Sequence, residues 1–184
     1  MRLHHFIISI CALLFASSAI HTDDNFVSKE GTVSFLSKAA FEKIKGKSTE
    51  LTGNLNLKQR TFSFSMPICS FQGFVNSKQK RHYCENYVEG AKFPTASFKG
   101  KVVDDADFSV PGTYNIRAKG MFLLHGIEKE IFINGVMTVA ADQITIDSKF
   151  IITLADFNMK LSKMNTLVIA KNVNVETKIV MIPG

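Results

Sequence analysis

The chain has 184 residues with 22 Lys or Arg and 16 Asp or Glu, a formal net charge of +6, and it contains 16 Phe but no Trp. The charges are scattered singly and in mixed pairs, which excludes the clustered basic stripe of a nucleic-acid-binding protein and suits a soluble surface mildly attracted to anionic headgroups. The length is sufficient for one domain with a sizeable core.

The N-terminal segment is typical of a secretory signal peptide. A basic start at Arg2 precedes an apolar run over residues 6–15, and the small residues at 16–19 follow it. An uncleaved anchor is the alternative, but about ten apolar residues are far fewer than the roughly 20 that span a bilayer as a helix. The sequence therefore predicts a signal peptide over residues 1–19 and a mature domain over 20–184 that is periplasmic or secreted.

Strict alternation of apolar and polar residues dominates the chain after residue 30. A period of two with one apolar face is the signature of half-buried antiparallel strands. The predicted strands cover residues 31–37, 40–57, 61–68, 95–102, 113–124, 129–140, 143–154 and 167–181. Eight strands with short turns, such as the one at His125 and Gly126, are enough to close a barrel and eliminate free edges. The predicted fold class is all-β, an eight-stranded antiparallel barrel.

One polar stretch, residues 76–90, breaks the strand pattern and carries Tyr83 and Tyr87 at helical spacing. We interpret it as a short helix packed beside the barrel. Cys69 and Cys84 could pair in an oxidising compartment. Spacing alone does not decide whether they do, because a disulfide depends on local geometry.

The sequence offers little support for catalysis. It contains no nucleophile elbow, no phosphate-binding glycine loop and no Cys/His cluster with metal-ligand spacing. His82 and Glu85 could form an acid/base pair if both faced the interior, whereas the structural interpretation is that they pin the helix to the barrel rim. His125 is interpreted as a solvated turn residue. We therefore predict no enzymatic activity, no metal and no catalytic residue.

The inward positions are more informative than the polar residues. Large side chains alternate with very small ones at mid-strand, which favours a tunnel, although glycines can also relieve backbone crowding at bends. Lys171 interrupts the apolar face of the last predicted strand, where it would either meet a ligand headgroup or extend to solvent. The predicted tunnel lining is Phe35, Phe62, Phe64, Met66, Phe98, Gly100, Ile116, Ala118, Gly120, Phe122, Met137, Ile146, Phe150, Ile152 and Val173.

Three segments carry a family resemblance. They read His-Tyr-Cys-Glu-Asn-Tyr at 82–87, Lys-Phe-Pro-Thr-Ala-Ser-Phe-Lys-Gly at 92–100 and Gly-Met-Phe-Leu-Leu-His-Gly-Ile-Glu-Lys-Glu-Ile at 120–131. In this order they resemble the YceI family of periplasmic polyisoprenoid-binding proteins. The resemblance implies a lipocalin-like barrel with one helix beside it, enclosing an isoprenoid chain such as a quinone or a polyprenyl phosphate. It also implies a binding protein, because the family is not known as catalytic.

The sequence thus predicts a periplasmic carrier that holds a long apolar lipid, with no cofactor besides that ligand. Its predicted rim, facing the headgroup, consists of Lys78, Arg81, His82 and Lys171. Transient membrane-surface contact and a homodimer are both compatible with the sequence. The main alternative is a filled barrel acting as a stress-related interaction or scaffold protein, and a further one is a lipid isomerase or hydrolase using His82 and Glu85.

Overall fold

The computed structural model describes residues 24–159 and 167–184, so the predicted signal peptide over 1–19 lies outside the described residues. Within these described residues nine strands follow one another, with a short helix, α1 (Ser77–His82), between the fourth and the fifth. A π-helical turn, Tyr83–Tyr87, continues α1. The strands are β1 (Asn25–Lys38), β2 (Lys43–Ser48), β3 (Thr52–Asn56), β4 (Thr61–Pro67), β5 (Thr95–Val102), β6 (Gly112–Leu124), β7 (Ile127–Val139), β8 (Ile144–Thr153) and β9 (Asn172–Pro183).

The sheet closes on itself because the first strand pairs with the last. Antiparallel pairing joins β1 to β9 from Phe26 opposite Pro183 to Ser37 opposite Val173. On its other edge, β1 pairs with β2 over residues 33–38 and with β3 over residues 25–27. Since β2 and β3 share one position beside β1, the barrel has eight strand positions, and the predicted eight-stranded antiparallel barrel is confirmed.

The predicted strand over residues 40–57 is two strands, and this part of the prediction was wrong. The chain breaks at residues 49–51, where Leu51 turns into the core. A Cβ on Gly31 would collide with the backbone carbonyl oxygen of Leu51, so only a glycine at position 31 permits this close approach. The predicted turn between β6 and β7 is confirmed, with His125 at φ 51° and Gly126 at φ 74°, as a two-residue hairpin with two positive φ values requires.

The two ends of the barrel differ. At the end where β1 begins and β9 finishes, the closed end, Met137, Ile144 and Met181 are fully buried. Nearby, Phe108 packs edge-on against Tyr114 with their ring centroids 5.2 Å apart. The opposite end, the open end, carries α1, the His125-Gly126 turn and a 3-10 turn at Leu154–Phe157. No helix in the described part of the chain is long and apolar enough to cross a membrane.

Gly100 and Gly120 face each other across β5 and β6. A Cβ on Gly100 would collide with the backbone carbonyl of Lys119, and a Cβ on Gly120 with that of Lys99. Neither glycine lines the cavity described below, so their prediction as tunnel lining was wrong. Their small size serves a close approach of two strands, which is the crowding explanation that the sequence left open.

Gly120→Ala is expected to lower the free energy of unfolding by about 1–3 kcal/mol, because the colliding atom belongs to the backbone and cannot rotate away. Chemical denaturation measures the change. Gly112→Ala on the same strand is the matched control, since its Cβ would lie 3.4 Å from the Tyr114 hydroxyl oxygen in ordinary contact. The control should stay within about 0.5 kcal/mol of the wild type, and equal effects of the two substitutions would contradict the crowding explanation.

A disulfide joins the helical segment to the barrel. Cys69 follows β4, Cys84 lies in the π-helical turn, and the two are bonded with their Cα atoms 5.3 Å apart. Gly90 packs against the bridge, because a Cβ there would collide with the Cys69 sulfur. The structure thus answers the pairing question that the sequence left open.

Reducing this bond is expected to lower the free energy of unfolding by about 2–4 kcal/mol, since it closes a loop of 15 residues in the unfolded chain. Denaturation with and without a thiol reductant measures the loss. A Cys69→Ser/Cys84→Ser variant provides the control, because its stability should already be low and should not respond to the reductant. A response of the same size in that variant would assign the effect to something other than this bond.

Candidate functional site

The barrel encloses one large apolar cavity of about 810 Å³. This volume lies within the roughly 300–1,000 Å³ of small-molecule sites in proteins. The cavity is lined by the inward side chains of the strands and by side chains of the helical segment at the open end. Eight strands therefore leave an interior that side chains do not fill, as in barrels that hold one small ligand.

Most of the predicted lining residues lie on the cavity wall. These are Phe35, Phe62, Phe64, Met66, Phe98, Ile116, Ala118, Phe122, Ile146, Phe150, Ile152 and Val173. Met137 does not line the cavity, and its assignment to the tunnel was wrong. It points inward as expected, but it lies opposite Tyr114 and Ile146 in the packed layer of the closed end.

The predicted basic rim is only partly present. Lys78 and His82 border the cavity at its mouth, whereas Arg81 is exposed on α1 away from it. Lys171 is also exposed and away from the cavity, so its assignment to the rim was wrong, and the extension to solvent that the sequence left open is what the structure has. The reason is that β9 begins only at Asn172, and the backbone carbonyl of Lys171 accepts a hydrogen bond from Leu154 N in the preceding turn.

Other lining residues were missed by the sequence analysis. Some follow the same alternation and could have been found from it: Val33, Ala96, Val102, Leu124, Ile133, Val175 and Ile179. Others enter the cavity from turns or the helical segment, where no period of two exists to reveal them: Ile68, Phe71, Phe74, Tyr83, Tyr87, Val88, Leu154 and Ile169.

Four cavity-lining side chains, Phe35, Phe71, Phe74 and Tyr83, form an aromatic cluster beneath the helical segment. The Tyr83 ring stacks on Phe35 with centroids 5.6 Å apart, and it lies 5.1 Å from Phe74 and 5.9 Å from Phe71. Its hydroxyl donates a hydrogen bond to the carbonyl of Ile68 at 3.0 Å. Burial raises the pKa of Tyr83 well above its usual value, so the phenol remains a neutral donor at physiological pH. This cluster and the disulfide together fix the helical segment over the cavity.

A second series of aromatic rings forms one wall of the cavity. Phe98 lies between Phe62 and Phe122, with centroids 4.9 Å and 6.1 Å away, and Phe122 meets Phe150 edge-on at 6.2 Å. The first two contacts are tilted, and the edge-on contact is one of the favoured arrangements of aromatic pairs. These rings offer apolar contact and no hydrogen-bonding group to a ligand.

Several hydroxyl groups interrupt the apolar lining: those of Ser37, Ser65 and Ser97, and a paired Ser148 and Thr177. Ser148 and Thr177 lie opposite each other on β8 and β9, with their hydroxyl oxygens 2.6 Å apart. Gly135, which is opposite Ser148 on β7, lies close against this strand, because a Cβ there would be 2.8 Å from the Asp147 carbonyl oxygen and 3.3 Å from the Ser148 Cβ. Because each hydroxyl has the other as partner, the pair is tolerated in an apolar cavity.

The mouth of the cavity is polar. Exposed side chains of Asn76, Lys78, His82, Asn86 and Asn158 border it, which shows that the cavity reaches solvent at the open end. Nδ1 of His82 lies 3.1 Å from the Asn86 amide nitrogen within the helical segment. Of the charged residues at the mouth, Glu89 contacts His125, whereas neither Lys78 nor Glu42 forms an ion pair among the described residues.

His125 is not the solvated turn residue that the sequence suggested. Its side chain is only 10% exposed, and its ring packs 4.5 Å from that of Phe93. Nε2 lies 2.6 Å from a carboxylate oxygen of Glu89, and Nδ1 lies 3.1 Å from the carbonyl of Phe157. The histidine thereby ties the β6–β7 turn to the two segments that surround the mouth, and no property of a His-Gly turn in the sequence indicates such partners.

The hypothetical acid/base pair does not face the cavity. His82 borders the mouth, but Glu85 is exposed and lies outside the lining. Over residues 24–159 and 167–184, no three His, Cys, Asp or Glu side chains are placed to hold a metal ion. What the described cavity offers chemically is apolar contact, a few hydroxyl groups and a polar mouth.

Comparison with known proteins identifies the family. A sequence profile described as YceI-like domain matches residues 25–181. No curated protein sequence shows significant similarity to the chain.

Solved structures share the fold. A polyisoprenoid-binding domain from Saccharophagus degradans, implicated in plant cell wall breakdown, superposes with a TM-score of 0.72 at 14% identity, covering 86% of this chain and 98% of that one. Burkholderia cenocepacia BcnA gives 0.66 at 14% identity, with 82% and 95% covered. The Campylobacter jejuni YCEI protein gives 0.54 at 13% identity, with 98% and 89% covered. With the profile match over most of its length, the chain belongs to the family of YceI-like domains.

Proposed function

We propose that this protein binds one long apolar lipid, of the polyisoprenoid or quinone type, inside the barrel and carries it through the periplasm. The observation that carries the proposal is the apolar cavity of about 810 Å³, which is closed at one end and open at the other. The structural similarity to a polyisoprenoid-binding domain from Saccharophagus degradans supports the same ligand class.

The lining chemistry favours a chain over a compact polar molecule. Each methylene or equivalent group transferred from water into such a lining contributes roughly 0.8 kcal/mol, so ten of them contribute about 8 kcal/mol before the cost of association. The aromatic wall and the aliphatic residues opposite it provide contact along the whole depth of the cavity. A chain of isoprene units suits this surface because it is a linear, flexible and wholly apolar hydrocarbon.

The polar mouth indicates the direction of the ligand. With Met137, Ile144 and Met181 filling the closed end, the tail would enter first and the headgroup would stay at the open end. There, Lys78 could meet an anionic head, and His82, Asn86 and Asn158 could meet the oxygens of a quinone or a phosphate.

An exported location agrees with two features of the chain. The predicted signal peptide over residues 1–19 directs export, and a disulfide between Cys69 and Cys84 persists in an oxidising compartment. The absence of Glu85 from the cavity argues for binding over acid/base catalysis at this site. The open interior argues against the filled-barrel alternative.

Native mass spectrometry of the protein purified from its own host, with lipid extraction of the same sample, tests the proposal. We expect a discrete added mass that extraction identifies as a polyprenyl or quinone compound. Added polyprenyl compounds should also raise the melting temperature of stripped protein, since a ligand that binds only the folded state stabilises it. A clean apo mass together with no thermal shift would contradict the proposal and favour the interaction-protein alternative.

Ala118→Trp is expected to weaken lipid binding by at least about tenfold. The indole would project into the cavity from β6 and occupy space for several methylenes, each contributing about 0.8 kcal/mol. Titration with a fluorescent polyprenyl analogue measures the affinity. Ala140→Trp is the matched control, because Ala140 is exposed beyond the end of β7 and away from the cavity. Equal affinities of the two variants would place the ligand elsewhere.

A further inference from the structure

Three apolar side chains stand out into solvent at the open end of the barrel. Phe41 is 79% exposed, Val75 80% and Leu167 45%. They come from three separate segments: the β1–β2 turn, the stretch before α1 and the turn before β9. None of them lines the cavity. We name these three residues the apolar arc.

The apolar arc is not covered by neighbouring side chains, in contrast to an exposed apolar residue on the outer surface of the barrel. Phe132, which is 55% exposed on β7, has the Arg117 guanidinium 5.5 Å and the Lys119 ammonium 5.7 Å from its ring centroid. Among the described residues, no cation or ring covers Phe41 in this way. Apolar side chains left uncovered beside a binding site indicate a surface that contacts something else.

Hydrogen bonds hold the members of the arc on one side of the mouth. Phe41 N donates to the carbonyl of Leu167 at 3.0 Å. The Gln79 side chain donates from Nε2 to the carboxylate of the neighbouring Glu42 at 2.6 Å, and its Oε1 accepts from Val75 N at 3.0 Å. Glu42 and Gln79 themselves border the cavity, so the arc lies directly beside its entrance.

Cations flank the arc. Lys38 and Lys43 lie at the two ends of the β1–β2 turn, and Lys78 and Arg81 lie on α1. All four are exposed, and none forms an ion pair within the described part of the chain. Glu42, the acidic residue within the arc, is held by Gln79. Exposed apolar side chains among unpaired cations are complementary to an anionic bilayer, with phosphates at the surface and acyl chains beneath.

We propose that the open end docks on an anionic membrane surface, with Phe41, Val75 and Leu167 in the headgroup layer and the flanking cations on lipid phosphates. This orientation places the cavity mouth against the bilayer, where a lipid could pass without crossing water. A second copy of the chain is a poorer occupant, because a symmetric contact would place the same four cations opposite one another. The proposal goes beyond the proposed function, since docking does not require an occupied cavity.

Flotation with vesicles of phosphatidylcholine, with and without phosphatidylglycerol, tests the docking surface. We expect the purified protein to float with the anionic vesicles and to be released by salt, because added ions screen surface charges. Phe41→Ser/Val75→Ser should bind at least about tenfold more weakly, as should Lys38→Gln/Lys43→Gln/Arg81→Gln. None of these five residues lines the cavity, so each variant should retain its lipid in native mass spectrometry.

Two wall variants are the matched controls. Phe132→Ser removes an exposed ring from the barrel side, and Lys58→Gln/Lys99→Gln/Lys101→Gln removes three exposed charges away from the mouth. Both should bind vesicles like the wild type. Equal flotation with neutral vesicles, or equal losses in wall and arc variants, would overturn the proposal. So would a dimer that the arc variant dissociates, because a second copy would then cover the arc. Wild-type protein that floats with anionic vesicles but carries no bound lipid in native mass spectrometry would contradict the proposed function and leave the docking proposal standing.

Discussion

The pairing of β1 with β9 is the constraint on which the rest of the structure depends. It joins the first and last strands over most of their length and leaves the sheet without a long free edge. Once the sheet is closed, every residue on the inward face of a strand is directed to one shared interior. The break between β2 and β3 preserves this closure, because both strands pair with β1 and together fill one position.

A closed barrel of eight strands leaves the two ends to decide what the interior becomes. One end is filled by Met137, Ile144, Met181 and the aromatic residues near them. The other is bordered by a helical segment that a disulfide, the aromatic cluster and the Tyr83 hydrogen bond hold in place. The outcome is a blind apolar pocket with a fixed polar mouth, which is a geometry suited to an apolar chain with one polar end.

The turns and the helical segment at the open end are connected to one another by direct contacts. The Glu89–His125 contact and the Glu42–Gln79 hydrogen bond tie the turns of the barrel to the helical segment around the mouth. The same segments present Phe41 and Val75 to solvent and Lys78 to the entrance. The proposed lipid site and the proposed membrane-docking surface are thus built from the same short connections, whereas the strands provide the scaffold.

The sequence by itself determined the all-β class, the number of strand positions, the β6–β7 hairpin and the inward face of most strands. The reason is that alternation of apolar and polar residues within one segment identifies a strand and its buried face without knowledge of the strands it pairs with. It therefore located Phe62, Phe98, Phe122 and Phe150 on the cavity wall. Only the tertiary structure decided where the packed end stops and the cavity begins, that Gly100 and Gly120 serve a close approach of strands, and that Lys171 precedes its strand. Those outcomes depend on distances between segments far apart in the chain, and local alternation carries no information about them.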